Sequence, residues 1–460
     1  MKSVLCNLCT VANNRMLLFL FITIVSAGAC KKMGVGSEAT TNENLPVEEN
    51  PAKSGTAAAT FNVSNNSQLN TAMASAVSGD KIVMANGTYA GFTVTKSGIT
   101  IQAATKGSAT VSSGIIRLSK VSSVTIQGLK ITTAGSTQTV DGESFPVAVW
   151  FEASNSCRLA GSTLKLSGQA SGTQWVMLSG NSNNNRVDHN EFGSNSVKGH
   201  YIFVRGNRTG ITVPSNRTSW ANGGGPNNPN MARNTGIDHN YFHDMAASTG
   251  EIMVLGGIGV AGDYQNTSTV VESNLFVNCD GDAEIISIKS SNNTVRTNTF
   301  RTSIGTISSR AGNSNTISGN LMLQAGKTGT GGIKIYEKNH TVTGNYVDNP
   351  QDYGFVLGAG DSYASSDFGH AQVFNASVTG NIWINMNTRG VIIGHGSNDM
   401  LPPTGCTFSN NALRGSASPL LNQRLPGNTV FSNNSTSGSN PAMPSTPLTT
   451  SNTGPGSYSY

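Results

Sequence analysis

The stretch VESNLF (271–276) returns as VRTNTF (295–300), as ISGNLM (317–322) and as VTGNYV (342–347). Each copy has an apolar residue, two small or polar residues, an asparagine, any residue, and a second apolar residue. The asparagines are Asn274, Asn298, Asn320 and Asn345, so the steps are 298 − 274 = 24, 320 − 298 = 22 and 345 − 320 = 25 residues. Moving outward, the unit recurs as VDHNEF around Asn190, IDHNYF around Asn240 and VTGNIW around Asn381, with weaker copies at Asn411 and Asn434. A short-strand repeat of this period, with asparagine at a fixed place, predicts an all-β fold: a single-stranded right-handed parallel β-helix. Inward side chains then stack on those of the next coil, and turn asparagines form hydrogen-bonded ladders. A leucine-rich solenoid would need Leu at fixed positions, and a propeller would need repeats of about 40 residues.

Composition agrees. Of 460 residues only 12% are charged, against about 25% in an ordinary soluble domain. There are 53 Gly and 51 Asn. Few charges and many turn formers argue against helical bundles and ordinary α/β folds, whose helix surfaces need Glu, Lys and Arg. A hydrophobic content of 37%, in short regular groups, argues against disorder. Length alone suggests about three domains; one long solenoid replaces that expectation. The net charge of 29 − 24 = +5 is too weak and too scattered for nucleic-acid binding, though it permits a mildly basic groove for an acidic polymer.

The ends read differently from the body. Residues 1–29 look like an export signal: Lys2 and Arg15 precede an apolar run, 16–25, and Ser26-Ala27-Gly28-Ala29 leads to Cys30 as in a bacterial lipoprotein signal. Cys30 would then be the lipidated first residue, the only link to a membrane, on a protein held in the periplasm or at the outer-membrane or cell surface. Residues 30–58 read as a flexible tether, 59–438 as the β-helix domain and 439–460 as a loose Ser-, Pro- and Thr-rich tail. Within 67–77, Leu69, Ala72, Met73 and Ala76 fall at helical spacing, which predicts an N-terminal capping helix with Ser67 as its N-cap. Insertions at 206–235 and 256–268 read as loops on one side. Cys157, Cys279 and Cys406 are isolated and read as buried free thiols.

Beyond the Cys6 and Cys9 pair in the leader there is no zinc-type spacing, and there is no nucleophile elbow or P-loop. The densest polar cluster is GDAEIISIKS (281–290), followed by TISSRAG (306–312). Alternation predicts that Asp282 and Glu284 share one strand face. Lys289 and Arg310 lie 310 − 289 = 21 residues apart, about one coil, so both can occupy one outer face. A surface salt-bridge cluster explains such a group, and so does a site for an anionic sugar, with a lysine serving as base where neighbouring positive charge favours loss of its proton. Asp188-His189-Asn190 and Asp238-His239-Asn240 read as turns and ladder positions.

The run GDAEIISIKSSNNTVRTNTFRTSIGTISSRAGNSNTISGN resembles polysaccharide lyase family six, the alginate lyases and chondroitinase B, with its pattern GExEIISNKS…NTF…S.G.LTLRHG. The likeness extends to SQLNTAMASAVSGDKIVMANGTY, NSCRLAGSTL, RVDHNEF, GIDHNYF, VESNLFVNCDGD and GGIKIYEKNHTVTGNYV, and so covers most of 59–350 in order. It implies β-elimination at a uronic acid: a base takes the carbon-5 proton, an acid protonates the departing bridging oxygen, and an unsaturated uronate forms. By this resemblance Lys289 matches the base and Arg310 the acid. Asp282 and Glu284 match the two carboxylates that hold a calcium ion in many members. Glu251, in STGE, matches the acid of an NGGE stretch and is a candidate substrate contact, and Ser248 stands in place of the Asn that serves calcium there. Lys334 replaces an Arg and matches a substrate-carboxylate contact; Tyr264 and Tyr336 are candidate sugar-contacting aromatics. Ile288 replaces the Asn before the base, Ala311 the His after the acid, and Asn195 a Lys of an earlier motif. The resulting expectation is a monomeric, exported lyase for an acidic polysaccharide, alginate first. The alternatives are a dermatan-type glycosaminoglycan substrate, or a surface glycan-binding β-helix without catalysis.

Overall fold

The computed structural model describes residues 57–207, 228–257, 265–361, 370–396 and 401–460. The export signal, Cys30, nearly all of the tether and Tyr264 lie outside these residues, as do large parts of the insertions expected at 206–235 and 256–268.

The chain winds as a right-handed parallel β-helix with three ladders of strands. One coil shows the pattern: Thr294–Arg296 lies on the first face, Thr299–Arg301 on the second and Gly305–Ser309 on the third, before Thr316–Ser318 returns to the first. The first face is a parallel sheet of fourteen strands, from Thr60–Val63 to Val430–Ser432. Registers hold from coil to coil. Val271, Val295, Ile317, Val342 and Val378 are successive partners on the first face, and Phe242, Phe276, Phe300, Met322, Val347 and Trp383 on the second. Ile286, Ile307, Ile333, Phe355 and Val391 continue the set on the third. All point inward and are buried. Ring centroids of Phe192, Phe242, Phe276 and Phe300 are 4.8, 4.8 and 4.5 Å apart in turn, the spacing of adjacent strands.

The repeated asparagine sits at the corner between the first and second faces, buried from Asn190 to Asn411 and half-buried at Asn434. Its amide is both donor and acceptor, which lets one residue type link every coil to the next. Asn298 Oδ1 accepts from the backbone N and the Nδ2 of Asn274, at 2.9 and 3.0 Å. Asn298 in turn donates from N and Nδ2 to Asn320 Oδ1. The line runs from Asn190 to Asn434. The left-handed turn conformation belongs to the residue before each ladder asparagine: His189, His239, Ser273, Thr297, Gly319 and Gly344 all have φ between 53° and 64°. The two demands of the corner therefore fall on two adjacent residues. A second line, Asn293 to Asn315 to His340, runs at the corner between the third and first faces. Burial pushes His340 down to about 4, so its ring is neutral.

The capping helix is Asn66–Ser75, with Leu69, Ala72 and Ala76 buried against the first coil. Its N-cap is Asn65 rather than Ser67: Asn65 Oδ1 accepts from Gln68 N at 3.0 Å, while Gln68 Oε1 accepts from Ser64 N at 2.8 Å. This reciprocal pair fixes the start two residues earlier than apolar spacing suggests. Cys157, Cys279 and Cys406 are buried free thiols, each pushed up by burial.

The tail differs most from its composition. It runs back along the corner between the first and second faces instead of hanging loose. Leu448 N donates to Thr299 Oγ1 at 3.0 Å, Gly454 N to His239 O at 2.7 Å, Tyr458 Oη to Gln127 Oε1 at 2.6 Å and Tyr460 Oη to Ala103 O at 3.0 Å. The Arg158 guanidinium lies 5.1 Å over the Tyr458 ring. Gly161 and Gly128 turn there with φ of 56° and 69°, and a Cβ at either would strike the Tyr458 or Tyr460 ring. Two tyrosines and the matching glycines anchor a segment whose Ser, Pro and Thr content reads as disorder.

Candidate active site

The outer surface of the third face gathers the charged residues. Lys289 directly follows strand Glu284–Ile288, and Arg310 directly follows Gly305–Ser309. Ile288 pairs with Ser309, so Lys289 and Arg310 occupy equivalent positions one coil apart, as their spacing predicts. Outward between them and the next coil run Ser287, Ser308 and Lys334, partners in register.

Lys289 Nζ donates to Glu251 Oε1 at 3.3 Å. Glu251 Oε2 lies 3.0 Å from His200 Nε2. The Glu251 carboxylate is held well below the usual range: burial opposes ionisation, and the His200 hydrogen bond and the charges of Lys289 and His200 outweigh it. Glu251 is therefore a partner of the lysine. The expected substrate contact at Glu251 meets a carboxylate whose two oxygens already face His200 and Lys289.

Glu284 accepts from the hydroxyls of Ser287 and Ser308 and lies 3.8 Å from Arg310 Nη1. Lys334 is half-buried, its ammonium 5.5 Å from the centroid of the Tyr336 ring. Burial first, and then repulsion from Arg310, push this lysine below its ordinary value; Glu284 and Asp352 work the other way. An anion arriving beside it would favour its charged form.

Other expected site residues are placed elsewhere. Asp282 lies in the bend of 281–283, just before the regular strand begins at Glu284. Its carboxylate accepts from Ala283 N and lines a corner pocket of about 380 Å³ with Lys198, Ser248 and Asp280. Glu284 is not among the residues lining that pocket. Of the calcium set implied by the resemblance, Asp282 and Ser248 line one pocket, and both oxygens of Glu284 accept hydroxyl hydrogen bonds. Among the described residues, the one group of three or more acidic, His or Cys side chains with ligand atoms close together is His189, Asp238 and His239, within 4.8 Å, at the opposite corner. There Arg158 and Arg186 occupy the carboxylates of Asp188 and Asp238, each at 2.6 Å, and the two imidazoles stack at 4.8 Å. Those turns support the tail and ladder. Tyr336 is buried, stacked 3.9 Å from His370, and so is no sugar platform.

Comparison with known proteins places this arrangement. The sequence model described as Chondroitinase B matches residues 63–437. The chain belongs to this family, polysaccharide lyase family six. A search of curated proteins gave no match. Among solved structures, the fold is similar to that of the family-six alginate lyase AlyGC, at 24% identity over 82% of this chain with a TM-score of 0.69. This chain spans about half of that protein, 51%. It is similar also to a mannuronic-acid-specific family-six lyase from human gut microbiota, at 22% identity, 82% of both chains and a TM-score of 0.64. A third is the family-six polysaccharide lyase Pedsa3628 from Pseudopedobacter saltans, at 21% identity, 87% of this chain, 100% of that one and a TM-score of 0.69.

Within this family member, sequence reasoning found Lys289, Arg310 and Lys334 on one face and missed His200, Gln174, Ser287 and Ser308. The serines could have been read from alternation in EIISIKS and TISSR. His200 offers no such signal, since its neighbours in space lie across insertions of unequal length.

Proposed function

We propose that this chondroitinase B family protein is a polysaccharide lyase that cleaves a uronate polymer, alginate first, by β-elimination. The observation that supports it is the placing of Lys289 and Arg310 at equivalent positions of adjacent coils, beside the half-buried Lys334. In this reading Lys289 Nζ takes the carbon-5 proton. The C–H electrons form the carbon-4 to carbon-5 double bond as the carbon-4 to oxygen bond breaks. Arg310 meets the departing oxygen and protonates it; a nascent alkoxide is a stronger base than guanidine, so the transfer runs downhill. Lys334 pairs with the sugar carboxylate, whose negative charge otherwise opposes removal of the neighbouring proton. Calcium, where bound, would supply the same neutralisation, with Asp282 and Ser248 as the side chains that face the open corner pocket.

Purified protein is mixed with alginate and, separately, with dermatan sulfate, and the ultraviolet band of unsaturated uronates is followed with and without a chelator. Alginate gives the signal and the chelator leaves most of it. Folded protein that is silent on both polymers removes the lyase reading, and chelator-abolished activity assigns neutralisation to the metal. Export and a lipid anchor at Cys30 belong to the same proposal, because such polymers are met outside the cell. Palmitate labelling that is lost in Cys30→Ala checks it.

A further inference from the structure

Four side chains, each one coil along from the last, form a single hydrogen-bonded line that ends on Lys289. Gln174 and His200 are register partners. Tyr201 N bonds Ile252 O, which sets Glu251 beside His200 on the following coil. Gln174 Nε2 donates to Gly172 O at 3.0 Å, and this turns its carbonyl oxygen toward His200 Nδ1 at 2.9 Å. His200 Nε2 faces Glu251 Oε2 at 3.0 Å, and Glu251 Oε1 faces Lys289 Nζ at 3.3 Å. Both ring nitrogens therefore face acceptors, and a neutral imidazole carries only one N–H. Both hydrogen bonds are made only by the doubly protonated ring.

We propose that His200 is a positioning residue for the base: as an imidazolium it holds Glu251 in place and takes up its negative charge, so that Lys289 is fixed in the cleft yet free to give up its proton. The proposal rests on reading Lys289 as the base. A lysine paired one-to-one with a carboxylate is held as an ammonium and cannot accept a proton, whereas a carboxylate shared between two cations holds each less firmly. The side chains of His200, Glu251 and Lys289 are only 22, 16 and 25% exposed, so water screens little of this coupling. The depressed Glu251 carboxylate agrees. Besides Glu251 behind it, Lys289 has Arg310 on the next coil, Lys334 beyond that, and Glu284 at the far end of its own strand, turned toward Arg310. His200 has Gln174, Glu251 and the Phe203 ring at 5.5 Å.

His200→Gln keeps an amide donor for Glu251 and removes the charge. The acid limb of its kcat/KM profile moves to higher pH by about one unit, while the alkaline plateau stays within about threefold of the parent. Glu251→Gln moves the limb the other way. A limb that stays in place in His200→Gln, or moves to lower pH, overturns the proposal. Independently of activity, nitrogen-15 spectra of histidine-labelled protein at neutral pH show both His200 ring nitrogens protonated; a single neutral tautomer overturns it as well. If Lys289→Ala keeps full activity, the base assignment fails instead, and the spectra still report on His200 and Glu251 alone.

Discussion

Two edges of the same coil are built on opposite rules. At the corner between the first and second faces one residue type recurs, and each asparagine meets the next with the same three atoms. On the third face nearly every coil brings something different: Gln174, His200, Glu251 and Glu284 along one row, Lys289 and Arg310 along another. The ladder needs repetition, because each link stabilises its neighbour only if the neighbour is identical. The cleft needs its repetition broken, because acid, base and neutralising cation must differ. In a solenoid, then, the fold shows where the sequence repeats, and the chemistry shows where a repeating position stops repeating.

Substitutions at the two edges separate the rules. Lys289→Ala lowers kcat by about a thousandfold with the unfolding midpoint almost unchanged, since the side chain supports chemistry and Glu251 keeps its His200 partner when the lysine is gone. Equal losses of activity and stability would dissolve the distinction. Asn298→Ala does the reverse. It strands the buried Asn274 N and takes one partner each from Asn274 Nδ2 and the Val271 carbonyl, costing about 3 kcal/mol in denaturant titration, while activity per folded molecule is kept.

Glu191 sharpens the comparison, because it is an ion pair outside the cleft. The His243 hydrogen bond, against burial and with help from Lys165, brings it down to about 2 from 4.5. A depressed carboxylate contributes stability that is complete above its unfolded value and is lost as pH falls toward its folded one. Wild-type stability therefore declines between about pH 4.5 and 2, and Glu191→Gln flattens that part of the curve without altering the pH profile of activity. The smallest effect is expected from Tyr458→Ala, which frees the end of the tail: the melting temperature falls by a few degrees, proteases reach 439–460, and kcat does not change.

Most of the frame was legible in the chain. Period, inward apolar positions and corner asparagines follow from a repeat that can be counted, and the 21-residue step from Lys289 to Arg310 needs only that coil length. The line through His200 was not legible. Its links are 26, 51 and 38 residues long, because insertions of different length leave the coils between them. The tail was misread because composition describes an average, whereas two tyrosines meeting two glycines hold it. For Asp282, alternation was extended past the point where the strand begins.

The sequence by itself determined the coil, since hydrophobic spacing and turn chemistry act locally and repeat. It also determined which lysine and arginine stand side by side. Only the tertiary structure decided what each of them touches. A β-helix brings coils together at strand spacing whatever the length of chain looped out between them, so partners across that gap are fixed by register in space and not by distance along the sequence.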